Sequence, residues 1–261
     1  MSSLDIAATG MLAQQLNVEV TSNNLANINT TGFKRQRAEF QDLLYQDLLR
    51  AGTSSSDADT IVPTGIQLGV GVKLSSVYRI TEQGNLNQTG NTLDMAIQGR
   101  GYFRVRLPSG DLAYTRAGAF QINGIGDVVT QEGYVVEPGI TIPANAIAVT
   151  INSSGEVLVK IDGTVAPQNV GQMTIATFAN EPGLEAIGGN LFLETPASGT
   201  ANEGVPGSTG YGTLLQGHLE TSNVNAVEEI TNLITAQRAY EMLARVIKTS
   251  DEMSQTISQL T

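Results

Sequence analysis

The stretch Asn225-Ala-Val-Glu-Glu-Ile-Thr-Asn-Leu233-Ile-Thr-Ala-Gln-Arg-Ala-Tyr240-Glu-Met-Leu-Ala-Arg-Val-Ile247, which runs on to Leu260 without a glycine or a proline, decides how this chain is read. Leu233, Ala236, Tyr240, Leu243 and Ile247 stand three and four residues apart by turns, which lines them along one face of an α-helix. Val246, Met253 and Leu260 form a second row, seven apart. Asn225 with Glu228 three residues on is a capping-box variant and starts the helix there. A helix over 225–260 is about 54 Å long at 1.5 Å per residue, far beyond the ordinary length of about 11–12 residues. Two apolar rows on one helix call for more than one neighbour.

The other end of the chain has the same character. Residues 3–27 hold one glycine and no proline, and Leu4, Met11, Val18 and Leu25 fall seven apart, with Ala8 and Leu12 beside them. This predicts a second helix of about 40 Å, closed by the polar run Asn27, Asn29, Thr30, Thr31 and Gly32.

Between the ends the period changes from helical to alternating. Phe103-Arg-Val-Arg-Leu107 alternates, Pro108-Ser-Gly-Asp111 turns, and Leu112 and Tyr114 follow. Ala146–Ile151, the turn Asn152–Gly155 and Val157–Ile161 repeat the pattern, with a further turn at Asp162-Gly163. Period-two runs joined by turn residues are antiparallel hairpins. The fold class is therefore α+β: long N- and C-terminal helices pairing as a coiled coil, with an arm and a β-rich domain inserted between them. The expected division is 1–32 plus 222–261 for the helical core, 33–80 for the arm and 81–221 for the β domain. In the arm, Phe40, Leu43, Leu44, Leu48 and Leu49 suggest a short amphipathic helix. Ala51–Thr60 reads as a polar mobile loop, and Gly65, Gly69 and Gly71 punctuate an extended stretch.

Composition narrows the function. The formal net charge is -11 and only 15% of residues are charged. A nucleic-acid binder needs clustered cations to displace phosphate counterions. Here the densest cluster is Lys34, Arg35 and Arg37, with Glu39 close behind. There are no cysteines, so thiolate catalysis, disulfides and cysteine metal sites are excluded. Met1-Ser-Ser-Leu-Asp-Ile has no cleavable secretion signal, and no run of about 18 apolar residues suggests a membrane span. His218 is the single histidine and has no second metal ligand type beside it. Asp57 and Asp59 lack the glycine and glutamate of a calcium loop. Gly69-Val-Gly71 and Gly99-Arg-Gly101 do not complete a dinucleotide fingerprint. Glu228 and Glu229 sit where anions favour a helix N-terminus. The residues point to no catalytic group, metal or cofactor, and the expectation is a structural chain that assembles through its terminal helices.

Four stretches carry a resemblance. Ala26-Asn27-Ile-Asn-Thr-Thr-Gly32-Phe33-Lys34, the run Gly84–Phe103 with Asn91, Asp94, Gly99, Gly101 and Phe103, Tyr114–Phe120, and Leu219–Asn225 with Asn223, followed by Gln237-Arg238-Ala-Tyr240-Glu, are similar to the rod and hook axial proteins of the bacterial flagellum. The arm, with Tyr45, Gly52, Pro63, Gly65 and Gly69, resembles the distal rod form within that family. The resemblance implies a subunit of a straight, rigid, hollow shaft that adds to a helical polymer of itself. It implies proximal rod and hook proteins, a rod cap, outer ring bushing proteins and the type III export apparatus as partners. It also implies a place crossing the periplasm to the outer membrane, while the acidic balance argues against nucleic acid as a partner. A hook or proximal rod subunit is the nearest alternative. A monomeric secreted β-rich binding protein is the alternative from another class.

Overall fold

The computed structural model describes residues 3–49, 64–164 and 166–260. Its elements fall into two compact units. One is built from residues 1–25, 36–78 and 225–261, the other from 26–35 and 79–224. Residues 26–35 thus pack with the β-rich middle, and most of the arm packs with the terminal helices.

The helical unit begins with α1 (Ser3–Ala26) and ends with α2 (Ala226–Leu260). Asn225 caps α2, its Oδ1 accepting from the Val227 amide at 3.1 Å. The rest of the unit is strand: β1 (Gln36–Asp42), β2 (Tyr45–Leu49), β3 (Ile66–Gly69) and β4 (Val72–Arg79). β1 pairs with β4, and β2 pairs antiparallel with β3. The helix expected from Phe40 to Leu49 is therefore replaced by two strands. The apolar spacing there does fit a helix turn. However, Gln46 lies opposite Leu68 and Asp47 opposite Gln67, and the Leu43 amide donates to the Gly71 carbonyl at 2.8 Å. Backbone pairing with a partner more than fifteen residues away overrides the weak local preference. The whole of the expected loop 51–60, with Gly52, and Pro63 beyond it lie outside the described residues.

The second unit is mainly antiparallel sheet. After β5 (Leu86–Gln88) and β6 (Met95–Gln98), the hairpin of β7 (Tyr102–Arg106) and β8 (Leu112–Thr115) forms its centre. On one side β8 pairs with Leu191–Leu193. On the other, β7 pairs with Val135–Val136 and with Ile175–Thr177. A three-stranded meander, Ala146–Ile151, Glu156–Ile161 and Gln168–Gln172, follows the second hairpin read from the sequence. The core gathers under β7. Phe103, Val105, Val159 and Ile175 are completely buried, with Met95, Ile97 and Phe120 beside them. The Phe103 and Phe120 rings meet edge to face at 5.0 Å, the favoured arrangement for aromatic pairs. Gly118 closes this core: a Cβ there would fall 1.6 Å from the Met95 carbonyl oxygen. Among the described residues, no helix is long and apolar enough to cross a membrane.

Candidate assembly surfaces and the buried charge cluster

Within the helical unit the two helices meet at two points. At Gly10 of α1 an added methyl group would stand 3.1 Å from Leu243 Cδ1 of α2. Glycine in a helix interior costs about 1 kcal/mol relative to alanine; here it leaves room for the leucine. Fourteen residues further along α1, the Asn24 amide donates to Glu229 Oε2 at 3.2 Å. Glu229 lies fourteen residues before Leu243, so the helices run antiparallel past these contacts.

The faces turned inward are not alike. On α1 the buried residues are small or polar: Ala7, Ala13, Thr21 and Asn24. Leu4, Met11, Val18 and Leu25 stand on the flank of that face and are half-buried. Leu12 is 68% exposed. On α2, Glu229, Ala236 and Ser250 are buried and Leu233, Leu243 and Ile247 are half-buried, while Tyr240 is exposed by a narrow margin. Two apolar flanks remain outside. At 100° per residue, Val227 (74% exposed), Ile230 and Ile234 project to one side, and Met242, Val246 and Met253 (60%) to the other. Gln237 and Arg238 are exposed as well.

The strands of the same unit repeat this pattern. Leu44 is 86% exposed, and Tyr45 and Leu48 on β2 and Ile66 and Leu68 on β3 are also open. Gly69 lies opposite Tyr45 in the register and within ordinary contact distance of its ring. Gly65 is half-buried just before β3.

The β unit holds a different kind of site. Glu220, completely buried, takes Lys34 Nζ on Oε1 at 2.6 Å and Arg116 Nε on Oε2 at 2.8 Å. The Gly84 amide also donates to Oε1, at 3.0 Å. Lys34 donates further to the Glu82 carbonyl at 2.7 Å. The Arg116 fork reaches the carbonyls of Gly99 at 2.8 Å and Gly101 at 2.5 Å. Two cations against one carboxylate leave a net positive charge, which these carbonyl dipoles and the Tyr102 ring below Arg116 help to satisfy. Burial pulls the Lys34 ammonium below its ordinary value, against the opposing pull of Glu220. Burial, and then the neighbouring Glu181, pushes the Tyr102 phenol up.

Four of the motif residues quoted from the sequence, Gly32, Gly99, Gly101 and Asn223, bond this cluster or its partners. Gly32 has φ +69 and donates its amide to the Glu220 carbonyl at 2.8 Å. Half-buried Phe33 follows, and Asn27 anchors the turn by accepting from Thr30 Oγ1 at 3.1 Å. Gly99 and Gly101 also have positive φ, at +104 and +142, and this turns their carbonyls to the guanidinium. Asn223 accepts from the Arg35 amide at 2.7 Å and donates to the carbonyls of Ile80 and Glu82. Asp94 accepts from Asn91 and Thr89, and Phe103 is core. Gln237, Arg238 and Tyr240 belong to the helical unit. The reading from sequence missed Glu220 and Arg116 as partners, because charges 104 residues apart give no spacing signal. The available sign was the ring of glycines around them. His218 turns its Nδ1 to the Gln216 carbonyl at 2.8 Å, and among the described residues no acidic or histidine group could hold a metal.

Comparison with known proteins falls on the same segments. Residues 4–34 match the family described as flagella basal body rod protein. Residues 96–159 match the flagellar hook protein FlgE/F/G D1 domain, and 215–260 match the flagellar basal body rod FlgEFG protein C-terminal family. Over 260 residues, all of this chain and 99% of the relative, identity to the flagellar basal-body rod protein FlgG of Caulobacter vibrioides is 63%. The chain belongs to the FlgG family of flagellar basal-body rod proteins. It is 52% identical to the FlgG protein of Agrobacterium fabrum and 40% to that of Bacillus subtilis, covering 99% and 100% of this chain and 99% of each relative. It is a structural subunit of the flagellar distal rod, with its place in the basal body, and the matched families name no enzyme. Each FlgG-family match supplies one charge of the buried cluster: Lys34 ends the first, Arg116 lies in the second and Glu220 in the third.

Proposed function

We propose that this FlgG-family chain polymerises head to tail into a straight, hollow drive shaft, with α1 and α2 pairing as a coiled coil that packs against neighbouring copies. The observation that carries this is the pair of apolar flanks on α2, held open on both sides of a helix that already has a partner. A chain with a net charge of -11 that leaves so many large apolar residues in water has them for an interface. Contacts between different faces that do not close into a ring give an open helical filament. The ribbon of β2 and β3, with Tyr45, Gly65 and Gly69, wedges between copies and resists bending. The β unit forms the outer layer that carries torque through the periplasm and turns inside the outer ring bushing. Proximal rod and hook proteins adjoin the ends, a rod cap guides addition, and the type III export apparatus delivers the chain.

Sedimentation and negative-stain imaging across concentration test the reading. Full-length protein should give straight filaments that sediment above a critical concentration, and a chain lacking 1–27 and 225–261 should stay small and folded. Filaments from the truncated chain, or a full-length chain that remains monomeric at every concentration, would sink it.

A further inference from the structure

The seam between the helices is smooth where registers are usually set. The buried residues of α1 are Ala7, Ala13, Thr21 and Asn24, and Gly10 meets Leu243; none of the five is a large apolar knob. The facing row on α2 repeats through Leu233, Ala236, Tyr240, Leu243 and Ile247, seven residues to the repeat. Such a seam slides by one heptad at little loss of apolar contact, since small faces meet a periodic row in either position. A buried polar side chain breaks that degeneracy, because it must find its partner or lose the hydrogen bond.

Asn24 is that side chain. It is 2% exposed and Glu229 is 3% exposed. Its amide donates to Glu229 Oε2 at 3.2 Å and to the Gln36 carbonyl at 2.8 Å, and its Oδ1 accepts from the Gln36 amide at 2.8 Å. One residue thereby pins the end of α1, the start of β1 and the first turn of α2. Sliding α2 by seven residues in one direction would place Asn24 opposite Ala236, and would carry Glu229 beyond Ala26, where α1 ends. Sliding it the other way would place Asn24 opposite Ser222, before α2 begins.

We infer that Asn24, through Glu229, is the specificity-determining residue that fixes the register of the terminal helices, and so the height at which each subunit presents its apolar flanks to its neighbours. This rests on the paired-helix reading above. It assigns Asn24 a positioning role, distinct from the apolar contacts that supply affinity.

The chain has no cysteine, so introduced thiols report register directly. Asn17 and Ala236 fall midway between the two observed contacts and mark the native register. Asn17 and Leu243 meet only after a one-heptad slip. Full-length N17C/A236C and N17C/L243C chains are oxidised at assembling concentration, and the intrachain disulfide is scored by gel mobility. With Asn24 intact, the native pair should form with about tenfold preference over the slipped pair. Asn24→Leu should bring the two yields near parity. Glu229→Leu should do the same, while Glu229→Gln, which keeps an amide oxygen for Asn24, should restore the preference. Circular dichroism accompanies each variant, and the two Glu229 variants carry the test if Asn24→Leu does not fold. If the native pair links and the slipped pair stays unlinked in the Asn24→Leu and Glu229→Leu chains, the register has another source and the inference is overturned. Should neither pair link with Asn24 intact, or should disulfides appear only between chains, the paired-helix reading itself fails and takes this inference with it.

Discussion

The two units of this chain treat their large apolar residues in opposite ways. In the β unit, Phe103, Ile175 and Val105 are sealed beneath a sheet whose members satisfy one another. In the helical unit, Leu12, Leu68, Val227 and Met253 stand in water although their backbones are regularly hydrogen-bonded. The difference teaches that regular secondary structure and a finished core are separate achievements. The β unit has both. The helical unit has the first without the second.

The contrast can be broken or sharpened by substitution. The largest expected effects lie in the β unit. Phe103→Ala removes a fully buried ring and should cost about 3–5 kcal/mol of unfolding free energy in urea titrations followed by near-ultraviolet circular dichroism. Glu220→Gln leaves Lys34 and Arg116 buried without their shared carboxylate and should cost a comparable ~3–5 kcal/mol. A loss under about 1 kcal/mol for either would mean that this unit relaxes far more freely than its packing implies.

Next come the open residues of the helical unit. Val227→Ser or Leu44→Ser should change monomer stability by less than about 0.5 kcal/mol. Each should nevertheless raise the critical concentration for sedimentable polymer about tenfold or more, because a buried Val or Leu is worth roughly 1.5–3 kcal/mol. Equal loss of monomer stability and assembly would erase the distinction between the units.

The smallest effect is electrostatic. Lys34 has a folded pKa lowered below 10.5, chiefly by burial. Between the folded and unfolded values the unfolded chain binds more protons, so this group's contribution to stability rises with pH in the alkaline window just below 10.5. Denaturant titrations from pH 8 to 10 should show a shallower rise, or a steeper fall, in Lys34→Met than in the parent chain. Parallel profiles would show that burial does not perturb this lysine.

Both helices and the two main hairpins were legible in the sequence because their signals are local. Heptad spacing around Leu243 lies within a few turns, and Asn152–Gly155 announces its own turn. The segment 40–49 reads locally as a helix because what decides it is Gly69 opposite Tyr45, a non-local pairing that leaves its apolar side chains outside and so prints no alternation. The inward face of α1 escaped for a related reason. A search for large apolar residues finds Leu4, Met11, Val18 and Leu25, whereas the inward face is marked by Gly10 against Leu243 and by Asn24 bonded to Glu229. The charge cluster was invisible because Lys34, Arg116 and Glu220 come from three distant parts of the chain.

The chain passes between the units at four points, near residues 25, 35, 78 and 224, and Asn223 gathers three of the flanking segments by bonding Arg35, Ile80 and Glu82. Three of the chain ends of the β unit are thus tied together within that unit. Lengthening it at a turn distant in sequence from Asn223, such as Asp162-Gly163, should therefore change the β unit and leave those ties untouched.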